Sequence, residues 1–320
     1  MKLARVTCGA TFLFLLLASC TGKSNPPPTV LDLQSIPIND PRHVIFELCE
    51  NLRKEVQGLR WKLEPCQGID WKSGGRSING SPLIYAEFGD PHAKNATLIF
   101  SGVHGDEVTP LYVGLQLAHW MKVHQGAIPN LRVIVAPLVN PDGFFRKPRT
   151  RMNAKGVDIN RNFPTRDWNV LALDAWKTRF KSDPRRYPGP NPRSEPETVF
   201  QEELIRKFKP QKILSIHAPL NVFDYDGPTV LSLAKFPKEY VNECLKLRRQ
   251  LRAIPTGFFP GSLGNYAGQE MGIPTLTLEL PSADPKMALR YWGRFQSGIR
   301  TMIEFAVPEH ASTSITISER

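Results

Sequence analysis

Two histidines and two glutamates supply the residue types that a catalytic metal site needs. His104 and Glu107 lie close together in a His-Gly-Asp-Glu turn, and His217 and Glu279 follow much later in the chain. Two imidazoles and one carboxylate give Zn²⁺ three protein ligands and leave its fourth position open, which distinguishes a catalytic site from a closed structural site. No cysteine is placed to supply a fourth ligand. We therefore predict one Zn²⁺ per chain, held by His104, Glu107 and His217.

Each of these residues follows a segment with the pattern of a buried strand. Strand patterns cover residues 83–88, 96–100, 131–136, 212–216 and 274–278, and helical patterns cover 110–124, 195–208, 238–252 and 285–305, with Ser194 as the expected N-cap of the second helix. Strands that alternate with helices indicate an α/β sandwich. In such sheets the ligand crevice lies beyond the carboxyl ends of the strands, so the four residues are expected to meet there.

A series of motifs in the right order resembles the zinc carboxypeptidase family. The matching segments are Val103-His104-Gly105-Asp106-Glu107, Asn140-Pro141-Asp142-Gly143, residues 156–163 and Leu278-Glu279-Leu280, within a span from Gly75 to Pro281. The resemblance implies a single-domain sandwich with a mixed twisted sheet and helices on both faces. It also implies a zinc-dependent hydrolase of peptide bonds.

The resemblance also implies roles for individual residues. Glu279 would be the base that takes a proton from the attacking water and hands it to the leaving amine. Arg151 would stabilise the oxyanion, with Arg146 and Arg149 as competitors for that role. The remaining matches are Asn160 and Arg161, expected to bind the terminal carboxylate of the substrate, and Asp158, expected to support His104, with Asp106 as the alternative.

The segment at 260–267, followed by 272–274, resembles the murein peptide amidase subgroup of this family. That likeness implies cleavage between γ-D-glutamate and meso-diaminopimelate in peptidoglycan peptides. The family's mobile tyrosine has no clear counterpart, because the corresponding region reads Thr256-Gly257-Phe258-Phe259 and Tyr266 comes later. A general carboxypeptidase that removes C-terminal L-amino acids remains an alternative, and a deacylase or a noncatalytic wall-binding lipoprotein is a weaker one.

The N-terminus has the pattern of an exported lipoprotein. Residues 1–19 read as a signal peptide, with Lys2 and Arg5 before a short apolar run, and Leu17-Ala18-Ser19-Cys20 resembles a lipobox. Cys20 would carry lipid and attach the chain to a membrane. Residues 20–40 are expected to form a tether, 41–308 the catalytic domain and 309–320 a disordered tail. Thr21 after the cysteine favours the outer membrane, with the enzyme facing the periplasm.

Charge and cysteine usage fit an exported protein. The chain has 41 Lys and Arg against 30 Asp and Glu, a net charge of +11. Outside the cytoplasm nucleic acid is not an expected partner, and wall peptides with free carboxylates explain the basic balance better. Cys49 and Cys66 are expected either to form a disulfide or to remain buried thiols. We expect a monomer.

Overall fold

The protein is described by a computed structural model over residues 41–124, 126, 129–221, 223–227 and 259–308. The predicted signal peptide, the Cys20 lipidation site, the tether, the helix at 238–252 and the C-terminal tail lie outside these residues. So do three residues of the segment that replaces the mobile tyrosine, Thr256, Gly257 and Phe258. Among the described residues no helix is both long and apolar enough to span a membrane.

Within the described residues, seven strands form one mixed sheet, in the order β1-β2-β4-β3-β5-β7-β6. The central strands β4, β3, β5 and β7 are parallel, whereas β1, β2 and β6 join antiparallel at the two edges. The strands are β1 Lys72–Arg76, β2 Pro82–Gly89, β3 Asn95–Phe100, β4 Leu131–Ala136, β5 Lys212–His217, β6 Phe223–Asp226 and β7 Thr275–Glu279.

Helices cover both faces of this sheet. They are α1 Pro41–Gly58, α2 Val108–His124, α3 Pro141–Phe145, α4 Leu173–Thr178, α5 Pro196–Phe208 and α6 Ala288–Glu304. Side chains of α1, α2 and α6 share one buried apolar cluster with Ile99, Val133 and Val135 of the sheet. Their neighbours on the same strands face the opposite side of the sheet, where Leu98 and Ile134 pack against α5. This alternation of apolar side chains on both faces is what a sheet buried on two sides requires.

The structure confirms the predicted fold class and corrects it in detail. All five predicted strands and three of the predicted helices are present, with ends that shift by up to three residues. The N-cap prediction was wrong: Glu195, not Ser194, precedes the first turn of α5. The Ser194 hydroxyl instead donates a hydrogen bond to Glu195 Oε1 at 2.7 Å. The edge strands β1 and β6 were not predicted because their short polar sequences lack an apolar pattern.

Helix α1 is attached to the rest of the domain by a disulfide and by ion pairs. Cys49 and Cys66 form a disulfide, which decides between the two alternatives left by the sequence. Glu55 on the same helix accepts hydrogen bonds from Lys147 Nζ at 2.6 Å and Arg149 Nη2 at 2.5 Å. Helix α1 therefore contacts the loop that leads to Arg151.

Lys212 anchors the other end of the chain. Its side chain is fully buried at the start of β5, and its Nζ donates to Asn95 Oδ1 at 2.5 Å and to Phe305 O at 2.6 Å. Phe305 follows the last turn of α6, so the lysine binds a backbone carbonyl at the end of that helix. Burial lowers the pKa of Lys212 to about 7, because a charged amine is disfavoured in the interior.

Candidate metal and catalytic centre

The predicted residues meet at one end of the sheet. His104 and Glu107 lie in the loop after β3, and His217 and Glu279 are the last residues of β5 and β7, where they are register partners. All four line one cavity of about 420 Å³. The cavity lies beyond the carboxyl ends of the parallel strands, as the crossover rule for α/β sheets requires.

Three donor groups converge in this cavity. One ligand atom from each of His104, Glu107 and His217 lies within 4.8 Å of the others, and all three residues are buried. The two Nδ1 atoms are 3.2 Å apart, and Glu107 approaches His104 Nδ1 at 2.7 Å and His217 Nδ1 at 3.1 Å. Two imidazoles and a carboxylate form the donor set of a catalytic zinc site, so these residues fit the metal.

The far side of each imidazole ring is held by a second group. His104 Nε2–H donates to Asp158 Oδ1 at 3.1 Å, and His217 Nε2 lies 2.8 Å from the Ser215 hydroxyl. These contacts leave Nδ1 of both rings directed at the metal position, the tautomer that a ligand needs. Asp106, the alternative support for His104, instead forms an ion pair with Arg185 at 2.8 Å.

A close backbone approach shapes the loop that carries the first two ligands. A Cβ at Gly105 would lie 2.1 Å from the carbonyl carbon of Gly143, so only glycine fits at position 105. Asn140 holds the opposite loop by accepting a hydrogen bond from Gly143 N at 2.9 Å and donating one to Arg151 O at 3.1 Å. The motif at 103–107 and the motif at 140–143 therefore pack against each other.

Glu279 is the second carboxylate of the cavity. Burial raises its pKa to about 6, and the nearby charge of Glu107 adds to the rise while His217 opposes it. Its Oε2 accepts a long hydrogen bond from Leu220 N at 3.4 Å. A carboxyl group with a pKa near neutrality can both accept and return a proton at physiological pH.

Arg151 is the arginine that reaches the metal ligands. Its Nε donates to Asp158 Oδ2 at 2.9 Å and its Nη1 donates to Glu107 Oε1 at 3.1 Å. Burial works against the charged form, but Asp158 and Glu107 together raise the pKa of Arg151. The two competitors lie elsewhere, because Arg149 pairs with Glu55 and the exposed Arg146 does not line the cavity.

Asn160 and Arg161 line the same cavity on a short 3₁₀ turn capped by Asp158. Asn160 Oδ1 accepts a hydrogen bond from Leu263 N at 2.8 Å, which leaves the Nδ2 group as a donor. Arg161 is only 8% exposed, its guanidinium lies 4.6 Å from the Phe259 ring centre, and its Nε has no hydrogen-bond partner among the residues that the structure describes. Burial, together with Arg151, Arg186 and Arg179, lowers the pKa of Arg161 to about 10 despite the opposing charge of Asp158.

Several charged residues of the cavity were missed in the sequence. Arg185 and Arg186 line it, and so do Asp224 and Asp226 of strand β6. The pattern Asp-Tyr-Asp soon after His217 was a usable signal, since alternate residues of a strand face the same side. The two arginines have no local signal, because a 3₁₀ turn in a long loop brings them to the site. Tyr266 stacks on Phe163 at 5.4 Å and does not line the cavity.

Comparison with known proteins gives consistent results. Residues 68–236 match the zinc carboxypeptidase family. Murein peptide amidase A of Escherichia coli (strain K12) is 35% identical over 211 residues, which cover 65% of this chain and 79% of that protein. The crystal structure of a murein-tripeptide amidase from Escherichia coli O157 superposes with a TM-score of 0.52 at 25% identity, covering 75% of this chain and 93% of that one. Bovine thrombin-activatable fibrinolysis inhibitor shares the fold, with a TM-score of 0.57 at 18% identity over 82% of this chain and 96% of that one.

Proposed function

This chain belongs to the zinc carboxypeptidase family and is a hydrolase of peptide bonds, and from that premise we propose that its substrate is a peptidoglycan peptide. The bond cut is the amide between γ-D-glutamate and meso-diaminopimelate, as the sequence likeness to murein peptide amidases suggests. The observation that carries this proposal is one cavity that joins the candidate metal ligands and Glu279 to a buried guanidinium whose Nε has no hydrogen-bond partner among the described residues.

That guanidinium favours a substrate cut next to a free carboxylate. Arg161 is buried with an open Nε–H, and Asn160 offers amide donors beside it. A carboxylate could accept hydrogen bonds from both side chains. A diaminopimelate at the end of a wall peptide carries such a carboxylate on the residue whose nitrogen forms the scissile bond. The site therefore suits removal of a terminal residue rather than cleavage within a long chain.

Glu279 and Arg151 have different roles in the proposed reaction. Bound zinc supplies Lewis-acid polarisation of the scissile carbonyl and makes water a better nucleophile near neutral pH. Glu279 takes the proton of the attacking water as the new C–O bond forms, and it then returns that proton to the leaving nitrogen as the amide C–N bond breaks. Arg151 lies beside the metal ligands and stabilises the negative charge that develops on the carbonyl oxygen.

The proposal is tested with two peptides of equal length. The full-length chain, loaded with zinc, is incubated with L-Ala-γ-D-Glu-meso-diaminopimelate and with an all-L tripeptide, and the products are identified by mass spectrometry. Release of diaminopimelate that a chelator stops and added Zn²⁺ restores is the expected result. Cleavage of the all-L peptide alone would identify a general carboxypeptidase and reject the wall substrate.

Two variants separate loss of metal from loss of chemistry. His217→Ala removes a ligand, so both the zinc content and the turnover should fall. Glu279→Gln keeps the three ligands, so it should retain zinc while it loses turnover. Metal analysis and activity are measured on the same samples, and normal activity in either variant would contradict the assignment of its role.

We also propose that the chain acts at the cell envelope, attached through lipid on Cys20 and facing the periplasm. The support is the lipobox-like sequence Leu17-Ala18-Ser19-Cys20 and the nature of the proposed substrate. Thr21 after the cysteine favours the outer membrane. Radiolabelled palmitate should label the wild type and not Cys20→Ser, and equal recovery of both from the soluble fraction would exclude the anchor.

A further inference from the structure

Glu195 is a residue at the start of α5 to which the proposed reaction gives no role. It is fully buried, and it is not among the residues that line the catalytic cavity. Arg151 and Arg161 do line the cavity, and they lie on two turns of the segment between α3 and α5. Both turns form hydrogen bonds with the first residues of α5. A helix that holds two turns can fix the position of one turn relative to the other.

The turn that carries Arg151 is attached to α5 through Asn153. This fully buried asparagine closes the turn, because its Oδ1 accepts hydrogen bonds from two backbone N–H groups of the same turn, both at 3.1 Å. Its Nδ2 group donates to Glu195 Oε2 at 2.7 Å and to Glu197 Oε2 at 2.9 Å. These four bonds use the two acceptor sites and the two donor hydrogens that an asparagine side chain has. The position of this turn therefore depends on carboxylates at the start of α5.

The turn that carries Arg161 is attached to the same end of α5 by different groups. Asn162 directly follows Arg161, and its Oδ1 accepts a hydrogen bond from Glu195 N at 3.1 Å. One helical turn further along α5, Thr198 Oγ1 donates to Ile159 O at 3.1 Å. The turn of Arg161 therefore contacts the backbone of Glu195, whereas the turn of Arg151 contacts its side chain.

The carboxylate of Glu195 is held from both sides by neutral donors. Oε2 accepts from Asn153, and Oε1 accepts from the Ser194 hydroxyl at 2.7 Å. That hydroxyl accepts in turn from Asn162 Nδ2 at 3.0 Å. The hydroxyl lies in a tight place, since a Cβ at Gly189 would approach Ser194 Oγ to 2.9 Å. One carboxylate thus links the two turns through a continuous chain of hydrogen bonds.

We propose that Glu195 is a positioning residue, which holds the oxyanion-stabilising Arg151 at a fixed place relative to the carboxylate-binding Arg161. This inference rests on the proposed function, since it takes the roles of the two arginines from there. The scissile carbonyl and the terminal carboxylate belong to one substrate, so both guanidinium groups must be in place at the same time. A misplacement of about 1 Å, caused by a change far from the chemistry, can lower the rate by about 100-fold. Glu195 acts through Asn153 and does not touch the substrate.

Steady-state kinetics on the full-length, zinc-loaded chain with L-Ala-γ-D-Glu-meso-diaminopimelate test the inference. Glu195→Ala should lower kcat by about tenfold or more, because the turn of Arg151 loses its attachment. KM should change by less than about threefold, since the backbone N–H that holds Asn162 remains. Glu195→Gln should keep kcat within about threefold of the wild type, because its amide oxygen can accept from Asn153 and its NH₂ group can donate to the Ser194 hydroxyl.

Hydrogen–deuterium exchange on the same zinc-loaded proteins gives a measurement that does not depend on turnover. Glu195→Ala should raise the exchange of residues 152–158 and leave that of residues 159–163 unchanged, because only the first segment is held by the side chain. Leu204→Ala is the matched control, because Leu204 is buried in the apolar cluster on the same helix. It should lower the unfolding temperature without this exchange pattern and without the loss of kcat.

Four results would each overturn the inference: a kcat for Glu195→Ala equal to that of Leu204→Ala, a loss confined to KM, a Gln variant as slow as the Ala variant, or unchanged exchange in residues 152–158. If Glu195→Ala does not fold, Glu195→Asp replaces it, since the shorter side chain withdraws its oxygens from Asn153. If the wild type cleaves only an all-L peptide, the proposed substrate is wrong, and the kinetics are measured with that peptide. If it cleaves neither, the proposed function fails and the exchange pattern alone decides whether Glu195 holds the turn of Arg151.

Discussion

Asp158→Asn is the most informative single change in this protein, because one buried carboxylate supports three elements of the site. Oδ1 accepts hydrogen bonds from His104 Nε2 and from Asn160 N, both at 3.1 Å, and Oδ2 accepts one from Arg151 Nε at 2.9 Å. Asp158 is fully buried, and although burial alone would raise its pKa, the neighbouring Arg151 and His104 lower it well below the usual value.

The size of the effect follows from these contacts. Asparagine has one acceptor oxygen where aspartate has two, so it cannot accept from both His104 and Arg151. If its oxygen faces His104 and Asn160, its NH₂ group opposes the Arg151 Nε–H, and Arg151 keeps only its contact with Glu107. Loss of a carboxylate behind a metal-bound histidine typically weakens metal affinity 10- to 100-fold. Breaking the buried ion pair should lower the free energy of unfolding by about 3 kcal/mol.

The assay measures zinc affinity by competition with a chelator, and unfolding by urea on the metal-free protein. Asp284→Asn is the control, because Asp284 caps a 3₁₀ turn in the same way, accepting from Lys286 N at 3.0 Å, but lies outside the cavity. We expect weaker zinc binding and lower stability for Asp158→Asn alone. Unchanged zinc affinity in a folded Asp158→Asn protein would refute the role of this carboxylate.

Four further changes have defined outcomes. Glu279→Gln should lower kcat by about 10²- to 10⁴-fold with zinc retained, measured by steady-state kinetics and metal analysis. Arg161→Ala should raise KM for a peptide with a free terminal carboxylate, whereas an equal effect on the amidated peptide would contradict carboxylate binding. From pH 7 towards pH 10 the folded wild type has lost the Lys212 proton while the unfolded chain keeps it, so the stability of the wild type rises with pH. The Lys212→Met protein should therefore lose stability relative to the wild type by about 1.4 kcal/mol per pH unit over this range. A pH-independent difference in urea unfolding would contradict the lowered pKa. Cys49→Ser should cost about 3 kcal/mol in urea unfolding, and a reducing agent should remove the difference.

The sheet and the convergence of the candidate metal ligands could be predicted because their signals are local. Runs such as Leu131–Ala136 are apolar on both faces, which indicates a strand buried on two sides. The ends of those strands then fix where His217 and Glu279 must lie. Helix α1 could also have been found, since Leu48, Leu52 and Val56 follow the spacing of one helical face.

Other parts of the site could not be predicted because distant loops form them. The sequence offered Asp106 and Asp158 as supports for His104, and three arginines for the oxyanion. The tertiary contacts decide between these candidates. Asp106 forms an ion pair with Arg185 instead of supporting His104, and Arg149 forms an ion pair with Glu55. Strand β6 has no apolar pattern of its own and exists through its pairing with β7.

The distribution of charge around the cavity bears on how a substrate would be oriented. Among the residues that line it, Arg151, Arg161 and Arg186 provide positive charge, and Asp183, Asp224 and Asp226 are among those that provide negative charge. In a partly enclosed cavity such fields are stronger than in open water, so a ligand with charges of both signs has one favoured orientation. A peptide that ends in a diamino acid carries carboxylates and an ammonium group together. The Arg161 guanidinium, with its open Nε–H, would set that orientation by binding the carboxylate of the terminal residue.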